Sequence, residues 1–202
     1  MKFLLFPTLF VFFIIGCSNG DNERPLPPPP PPIPIDTVKD IPYGVNQTWE
    51  GETDTLKLDI YSPKDASSFK KYPLLVLVYG GTFLTGKKEN LSSLCSGFAQ
   101  AGYIAVSIDY RLGWNDGTTE CGGDTLSLME AFYRSVQDFN ASMRFLVSKA
   151  NELNIDTNWI FIGGSSAGAV ATINSVFLTN SYVAARSPQT FIKLGGLDDA
   201  TN

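Results

Sequence analysis

Three apolar segments of strand length, separated by helical segments, constrain the fold of this chain more than any other feature. Residues 73–79 are continuously apolar, and residues 159–163 are a further run of this kind. Residues 103–109 are mostly apolar, with Ser107 and Asp109 as the polar residues. Strands that are buried on both faces have such runs, because helices cover both faces of a parallel sheet. The pattern therefore predicts parallel βαβ units, that is, an α/β fold with an open, mostly parallel sheet.

The helical segments lie between and after these strands. Residues 90–101 are expected to form one helix and residues 167–178 another. Residues 125–153 carry apolar side chains at helical spacing, with a break expected near Ser135.

A further strand is predicted upstream, at residues 55–61. Apolar residues alternate there with Lys57 and Asp59, and Ser62-Pro63 ends the segment. A period of two predicts a strand with one buried face and one exposed face.

The first 35 residues predict a leader, an anchor and a spacer. Residues 3–15 are apolar, but this run is too short to cross a bilayer, which needs roughly 20 residues. It matches a signal-peptide core and ends in Ile14-Ile15-Gly16-Cys17, which resembles a bacterial lipobox. The resemblance implies that residues 1–16 are a signal peptide and that the Cys17 thiol is lipidated. A plain buried hydrophobic helix is the alternative.

Residues 17–35 hold the lipidated cysteine and a linker with six consecutive prolines, Pro27 to Pro32. A stiff polyproline II segment would hold the domain formed by residues 36–202 away from the membrane. The alternative is a docking ligand for aromatic-grooved modules. The sequence thus predicts a lipid-anchored protein of the bacterial cell envelope, on the periplasmic or surface face.

Composition excludes several classes of function. The net charge is −5 and no basic patch is visible, which argues against nucleic acid as a partner. The chain contains no histidine, so it can build neither a serine–histidine pair nor a histidine-containing zinc site. No metal or cofactor is predicted.

The residues with the clearest chemistry are Gly164-Ser165-Ser166-Ala167-Gly168, between the strand at 159–163 and the next helix. This is the G-x-S-x-G nucleophile elbow in its strand–turn–helix context, and only Ser166 fits as the nucleophile. The elbow glycines Gly164 and Gly168 leave room for the sharp turn. The start of the helix favours developing negative charge. The alternative is a turn that merely caps a helix.

Two further motifs resemble the esterase/lipase group of α/β-hydrolases. Tyr79-Gly80-Gly81-Thr82-Phe83 is similar to its H-G-G-G-F/W loop, with Tyr79 in place of the histidine and Thr82 in place of the third glycine. The resemblance implies an oxyanion hole made by the amides of Gly81, Thr82 and Ala167. Asp109-Tyr110-Arg111-Leu112 is similar to the D/N-Y-R-L motif, in which the arginine anchors loops. The resemblance covers residues 56–178 and implies the α/β-hydrolase fold.

Cysteines other than Cys17 are Cys95 and Cys121. Outside the cytosol such a pair predicts a disulfide, with two unpaired thiols as the alternative.

The order of the catalytic residues in this fold is serine, acid, histidine. Asp198 and Asp199 follow the nucleophile helix too closely to serve as the acid, and there is no histidine. We therefore expect the sequence to be a fragment of a longer product. The later strands would be missing, and an apolar sheet edge would be left exposed.

Two classes of function remain. The parent protein is expected to be a serine carboxylic-ester hydrolase of the carboxylesterase or feruloyl-esterase kind. Its substrate would be a small-molecule or polysaccharide-linked ester, and the present chain would be inactive alone. The alternative is a non-catalytic surface lipoprotein of the same fold that binds a ligand or a partner.

Overall fold

The sheet has five strands in the order β1-β2-β4-β3-β5. The computed structural model describes residues 31–64, 70–117 and 123–199. The strands are β1 (Ile35–Gln47), β2 (Thr53–Pro63), β3 (Tyr72–Val78), β4 (Ile104–Ile108) and β5 (Ile155–Gly164). Strand β3 is parallel to β4 and to β5, whereas β2 is antiparallel to β1 and to β4. The α/β prediction is confirmed, but the sheet is mixed because an N-terminal hairpin extends it.

Five α-helices and a short 3-10 helix (Lys88–Leu91) are found in the described residues. The α-helices are α1 (Ser92–Gln100), α2 (Thr125–Ser148), α3 (Ala167–Phe177), α4 (Asn180–Arg186) and α5 (Pro188–Leu194). The break predicted near Ser135 is wrong, because α2 continues through it. Ser135 is buried, and its hydroxyl donates to the Phe132 carbonyl at 2.6 Å, so the polar side chain is satisfied without opening the helix.

The two faces of the sheet are covered by different helices. In β3, Leu74, Val76 and Val78 pack with residues of α2, while Leu75 and Leu77 pack with residues of α1. This division follows from the strand period of two, which sends successive side chains to opposite faces. The predicted covering of the sheet on both faces is confirmed for β3.

Strand β5 was expected to be buried on both faces, and this is wrong. Trp159 is 61% exposed and Phe161 is 42% exposed. The cause is position, because β5 is the last strand of the sheet in the described residues. The helix that follows it also exposes apolar side chains. We call Trp159, Phe161, Ile173, Val176 and Phe177 together the outer edge.

Strand β2 also departs from the prediction, since Asp59 is fully buried instead of facing solvent. Tyr61, two residues on and therefore on the same face, packs with residues of α1, so a helix covers this face as well. Lys88 neutralises the buried carboxylate at 3.3 Å. The lysine also bonds to Asp40 at 2.8 Å and to Glu89 at 2.7 Å.

The two C-terminal helices were not predicted. They add a small layer to α2, in which Val183 and Leu197 pack against Tyr133 and Val136. All of the described elements lie within residues 32–202, which form one compact unit. Among the described helices, none has the length and apolar character needed to cross a membrane.

Candidate active site

Ser166 occupies the turn between the end of β5 and the start of α3 and is exposed to solvent. Its backbone has φ 49° and ψ −118°, a conformation that residues other than glycine rarely adopt. A residue held in such a conformation costs of order 1–3 kcal/mol, so the surrounding structure must impose it. The strand–turn–helix context predicted for the elbow is therefore present, with Ser166 at its strained position.

The glycines on either side of Ser166 are required by close backbone contacts. A Cβ at Gly164 would lie 2.4 Å from the carbonyl carbon of Gly168, and one at Gly168 would lie 2.2 Å from the carbonyl oxygen of Val78. Neither backbone atom can move aside as a flexible side chain could. At both positions the backbone leaves no room for a side chain.

The loop after β3 lies directly against this turn. A Cβ at Gly80 would be 2.8 Å from the Ser165 carbonyl oxygen and 3.0 Å from Ser166 Cβ. The Ser165 amide donates to the Val78 carbonyl at 3.1 Å, which joins the two segments at their bases. Because β3 and β5 are adjacent and parallel, both segments leave the sheet at the same end. The fold thus brings the two predicted motifs together.

Three consecutive residues of this loop have positive φ angles. Gly81 has φ 128°, Thr82 has φ 56° and Phe83 has φ 61°. Among the hydrogen bonds between described residues, none has the amide of Gly81, Thr82 or Ala167 as its donor. For Ala167 this is expected, because the first amides of a helix have no partner within it. The three amides predicted to hold an oxyanion are thus uncommitted to other groups.

Trp114 holds this loop, and sequence analysis missed it. The indole Nε1 donates to the Thr82 carbonyl at 2.9 Å, and the Gly113 amide donates to the Phe83 carbonyl at 2.8 Å. Both loop carbonyls therefore accept hydrogen bonds from residues 113 and 114, and these bonds hold the loop in place. No signal in the sequence marked Trp114 for this role, because the contact joins residues 32 positions apart.

Tyr79 and Tyr110 stabilise the start of the same loop. Their rings stack with centroids 4.6 Å apart, and the Tyr110 hydroxyl donates to the Tyr79 carbonyl at 3.2 Å. Burial raises the pKa of both phenols well above the usual value, so both stay protonated. The tyrosine that replaces the histidine of the H-G-G-G motif is thus a packing residue in this loop.

Arg111 has the anchoring role that its motif predicted. Its Nε lies 2.9 Å from Asp138 Oδ1, its Nη2 donates to Gln137 at 3.0 Å, and its Nη1 donates to the Gln47 carbonyl at 3.1 Å. Arg111 and Asp138 are both buried. The pair ties the segment after β4 to α2 and to the end of β1.

Ser166 has no hydrogen-bonded base among the described residues. None of their hydrogen bonds involves its hydroxyl. The two acidic residues that follow the elbow in sequence are engaged elsewhere. Asp198 pairs with Arg144 at 3.3 Å, and Asp199 accepts from the Gly196 amide at 2.5 Å. The same described residues contain no cluster suited to a metal ion.

Two cavities in the described residues lie near the elbow or the loop. One of about 720 Å³ is lined by residues of α1 and by Ser165, the neighbour of Ser166. One of about 540 Å³ lies beside the loop and is lined in part by Trp49, Tyr79, Asp109 and Tyr110. Burial raises the pKa of Asp109, while its hydrogen bond from the Lys88 amide opposes the shift. Ser166 itself is exposed and lines neither of these two cavities.

Cys95 is a free, fully buried thiol on the inner side of α1. Burial raises its pKa to about 11. Cys121 and Cys17 lie outside the described residues, so the disulfide between Cys95 and Cys121 stays a prediction.

Fold and elbow together define this chain as an α/β-hydrolase-fold protein. The BD-FAE family model matches residues 58–181, more than half of the chain and including both motifs of the site. The chain belongs to the BD-FAE family.

Similar proteins support the same class. The chain is 33% identical over 129 residues to the cAMP-regulated D2 protein of Dictyostelium discoideum, covering 64% of this chain and 22% of that protein. It is 30% identical over 133 residues to mouse carboxylesterase 3B, covering 62% and 21%. The butyrate-bound thermophilic esterase Est2 of Thermogutta terrifontis matches with a TM-score of 0.50 and 26% identity, over 66% of this chain and 44% of that one. The chain thus spans about a fifth of these curated relatives and under half of the solved esterase.

Proposed function

We propose that this chain carries the nucleophile and the oxyanion hole of a serine carboxylic-ester hydrolase. In this reaction Ser166 Oγ attacks the ester carbonyl carbon, and the amides of Gly81, Thr82 and Ala167 hold the oxyanion. A base, proposed below to lie outside the 202 residues, takes the Ser166 proton and gives it to the leaving alcohol. The same base then takes a proton from the water that releases the acid from the acyl-enzyme. The dipole of α3 adds stabilisation at the same point.

The observation that carries this proposal is the backbone of Ser166. A serine with φ 49° and ψ −118° costs stability, and a turn that served only to cap a helix would not need it. Gly80 approaches to contact distance on one side and α3 begins on the other. Both features support the proposal that backbone amides of the loop and of the helix start act on a substrate at Ser166.

We further propose that the acid and the histidine of the triad come from chain outside the 202 residues. The basis is that the sequence has no histidine and that Ser166 has no hydrogen-bonded base among the described residues. The outer edge supports this, because additional strands and helices would cover its exposed apolar side chains. On this proposal the 202 residues alone are inactive. Reading the gene in frame past Asn202 tests it, and a verified stop codon there would contradict it.

The substrate is proposed to be a carboxylic ester, either a small molecule or an ester linked to a polysaccharide. The butyrate in the esterase of Thermogutta terrifontis favours a short acyl group. The comparison with mouse carboxylesterase 3B supports ester chemistry in general.

A pair of neighbouring serines offers a matched test. In the gene product that includes any downstream segment, Ser166→Ala should lower hydrolysis of a small activated ester by several orders of magnitude, because nucleophile and base act as a unit. Ser165→Ala should keep most of the activity, since its side chain has no role in the proposed step. A fluorophosphonate probe should label the wild type and the Ser165 variant but not the Ser166 variant.

The 202-residue chain itself sharpens this test. Without a base the Ser166 hydroxyl keeps its proton, so labelling by the same probe should be weak. Labelling as strong as in the longer protein would contradict the proposal that the base is missing. Equal activity of the two alanine variants in the longer protein would contradict Ser166 as nucleophile.

The second candidate is a non-catalytic protein of the same fold that binds a ligand or a partner at the cell surface. The absence of histidine favours it. The strained serine argues against it, because binding does not require that backbone. The two serine variants separate the candidates, since a binding protein would show no ester turnover to lose.

We also propose that the protein is lipid-anchored through Cys17 in the bacterial cell envelope, with residues 17–35 as a spacer. The lipobox-like sequence and the proline tract support this, and the first strand begins directly after the tract, at Ile35. Cys17→Ser should abolish incorporation of a clickable fatty acid. Incorporation equal to that of the wild type would exclude Cys17 as the acceptor.

A further inference from the structure

A third, smaller cavity of about 210 Å³ lies away from the elbow, between the end of β1, α2 and the end of α5. Three cationic side chains line it, namely Arg111, Arg134 and Lys193. This is unusual for a chain whose net charge is −5. Pockets that take small ligands combine enclosure with a few placed polar groups, and this one is large enough for a small ion.

Arg134 is the least satisfied of the three. It is 2% exposed, and its Nη2 donates to the Gly113 carbonyl at 2.5 Å. Its Nε is buried with no hydrogen-bond partner among the described residues. Its Nη1 lies 4.0 Å from Glu130 Oε2, which is beyond hydrogen-bond distance. A buried guanidinium with an unpaired Nε carries a desolvation cost that a bound anion would offset.

The carboxylates nearby are committed to the other two cations. Asp138 bonds to Arg111 at 2.7 Å, and Glu130 bonds to Lys193 at 2.6 Å. Three cations therefore face two carboxylates, which leaves one positive charge in excess. Burial and the charge of Arg111 lower the pKa of Arg134 to about 10, although Glu130 and Asp138 oppose this shift.

We propose that this cavity binds a small oxyanion, a carboxylate or a phosphate, through Arg134 and Lys193. The unpaired Nε of Arg134 can donate a charge-assisted hydrogen bond to an oxygen of either group. Lys193 is 62% exposed, pairs with Glu130 at 2.6 Å and adds a second cation to the cavity lining. The site is separate from Ser166, so the inference stands independently of the proposed hydrolase activity.

The test uses the purified 202-residue chain in detergent with inorganic phosphate and acetate as probes. Sodium chloride at equal ionic strength serves as the reference. Phosphate, acetate or both should raise the thermal midpoint in a saturable way, because a ligand that binds only the folded state stabilises it. Saturation by phosphate alone would identify a phosphate site, and saturation by acetate as well would identify a carboxylate site. Stabilisation that matches chloride and never saturates would overturn the proposal.

Three variants assign the site. Arg134→Gln should weaken binding by about tenfold or more, because it removes a charged donor. Lys193→Gln should weaken it by up to about fivefold, as for a partly exposed charge. Arg144→Gln makes the same charge change on the same helix outside the cavity and should leave the affinity unchanged. If Arg134→Gln does not fold, Lys193→Gln decides. An unchanged affinity in that variant would overturn the proposal.

Discussion

The elements on the two sides of strand β3 differ sharply in how far their side chains are buried. On one side, β4 has every residue buried and α2 supplies the charge that holds Arg111. On the other side, β5 and α3 end in the outer edge, where Phe177 is 76% exposed and Val176 is 63% exposed. The elbow joins β5 to α3, and it is also held against β3 through Val78 and Gly80. The backbone of Ser166 thus depends in part on contacts with β3, which is almost entirely buried.

The largest expected effect on stability comes from removing the buried charge pair between Arg111 and Asp138. Asp138→Ala leaves Arg111 buried without its partner, and this should lower the free energy of unfolding by about 3–5 kcal/mol. Asp198→Ala is the matched control, because its carboxylate is 71% exposed in its pair with Arg144 and should contribute about 1 kcal/mol or less. Urea denaturation measures both. Equal losses would show that the buried pair contributes no more to the free energy of unfolding than the exposed pair does.

A second pair of substitutions compares apolar residues on the two sides. Leu74→Ala removes a fully buried side chain from β3 and should cost about 2–5 kcal/mol. Phe177→Ala removes a larger side chain from the outer edge and should change stability by about 0.5 kcal/mol at most. The same urea experiment decides. A loss above 2 kcal/mol for Phe177→Ala would mean that the outer edge is covered in solution.

The smallest effect concerns pH and the thiol of α1. Since the pKa of Cys95 rises from 9.0 to about 11 on folding, the folded chain holds its proton at pH values where the unfolded chain releases it. Stability should therefore be unaffected by this group below about pH 9 and should fall as the pH rises from about 9 to about 11. Urea denaturation across that range measures it, with Cys95→Ser as the control. An identical fall in the serine variant would assign the loss to other groups, such as the buried tyrosines.

Patterns of local origin were predicted well from the sequence. The strand period, the elbow glycines and the role of Arg111 each depend on neighbours in sequence or on a complete motif. The exposure of β5 could not be predicted, because an apolar run looks the same in a central strand as at an edge. The burial of Asp59 was missed because its partner, Lys88, lies in another element. Trp114 and the cavity around Arg134 were missed for the same reason, since both depend on contacts between distant segments.

The left-handed backbone at position 166 has a consequence for how this chain would change under selection. Glycine would hold the same dihedral angles without steric cost, so serine there is retained against a stability gain of about 1–3 kcal/mol. A library selected only for folding should accumulate glycine at this position early. If Ser166 is the nucleophile as proposed, a library selected for ester turnover should hold serine while its neighbours drift. Position 166 would in this way record which of the two demands a lineage has met.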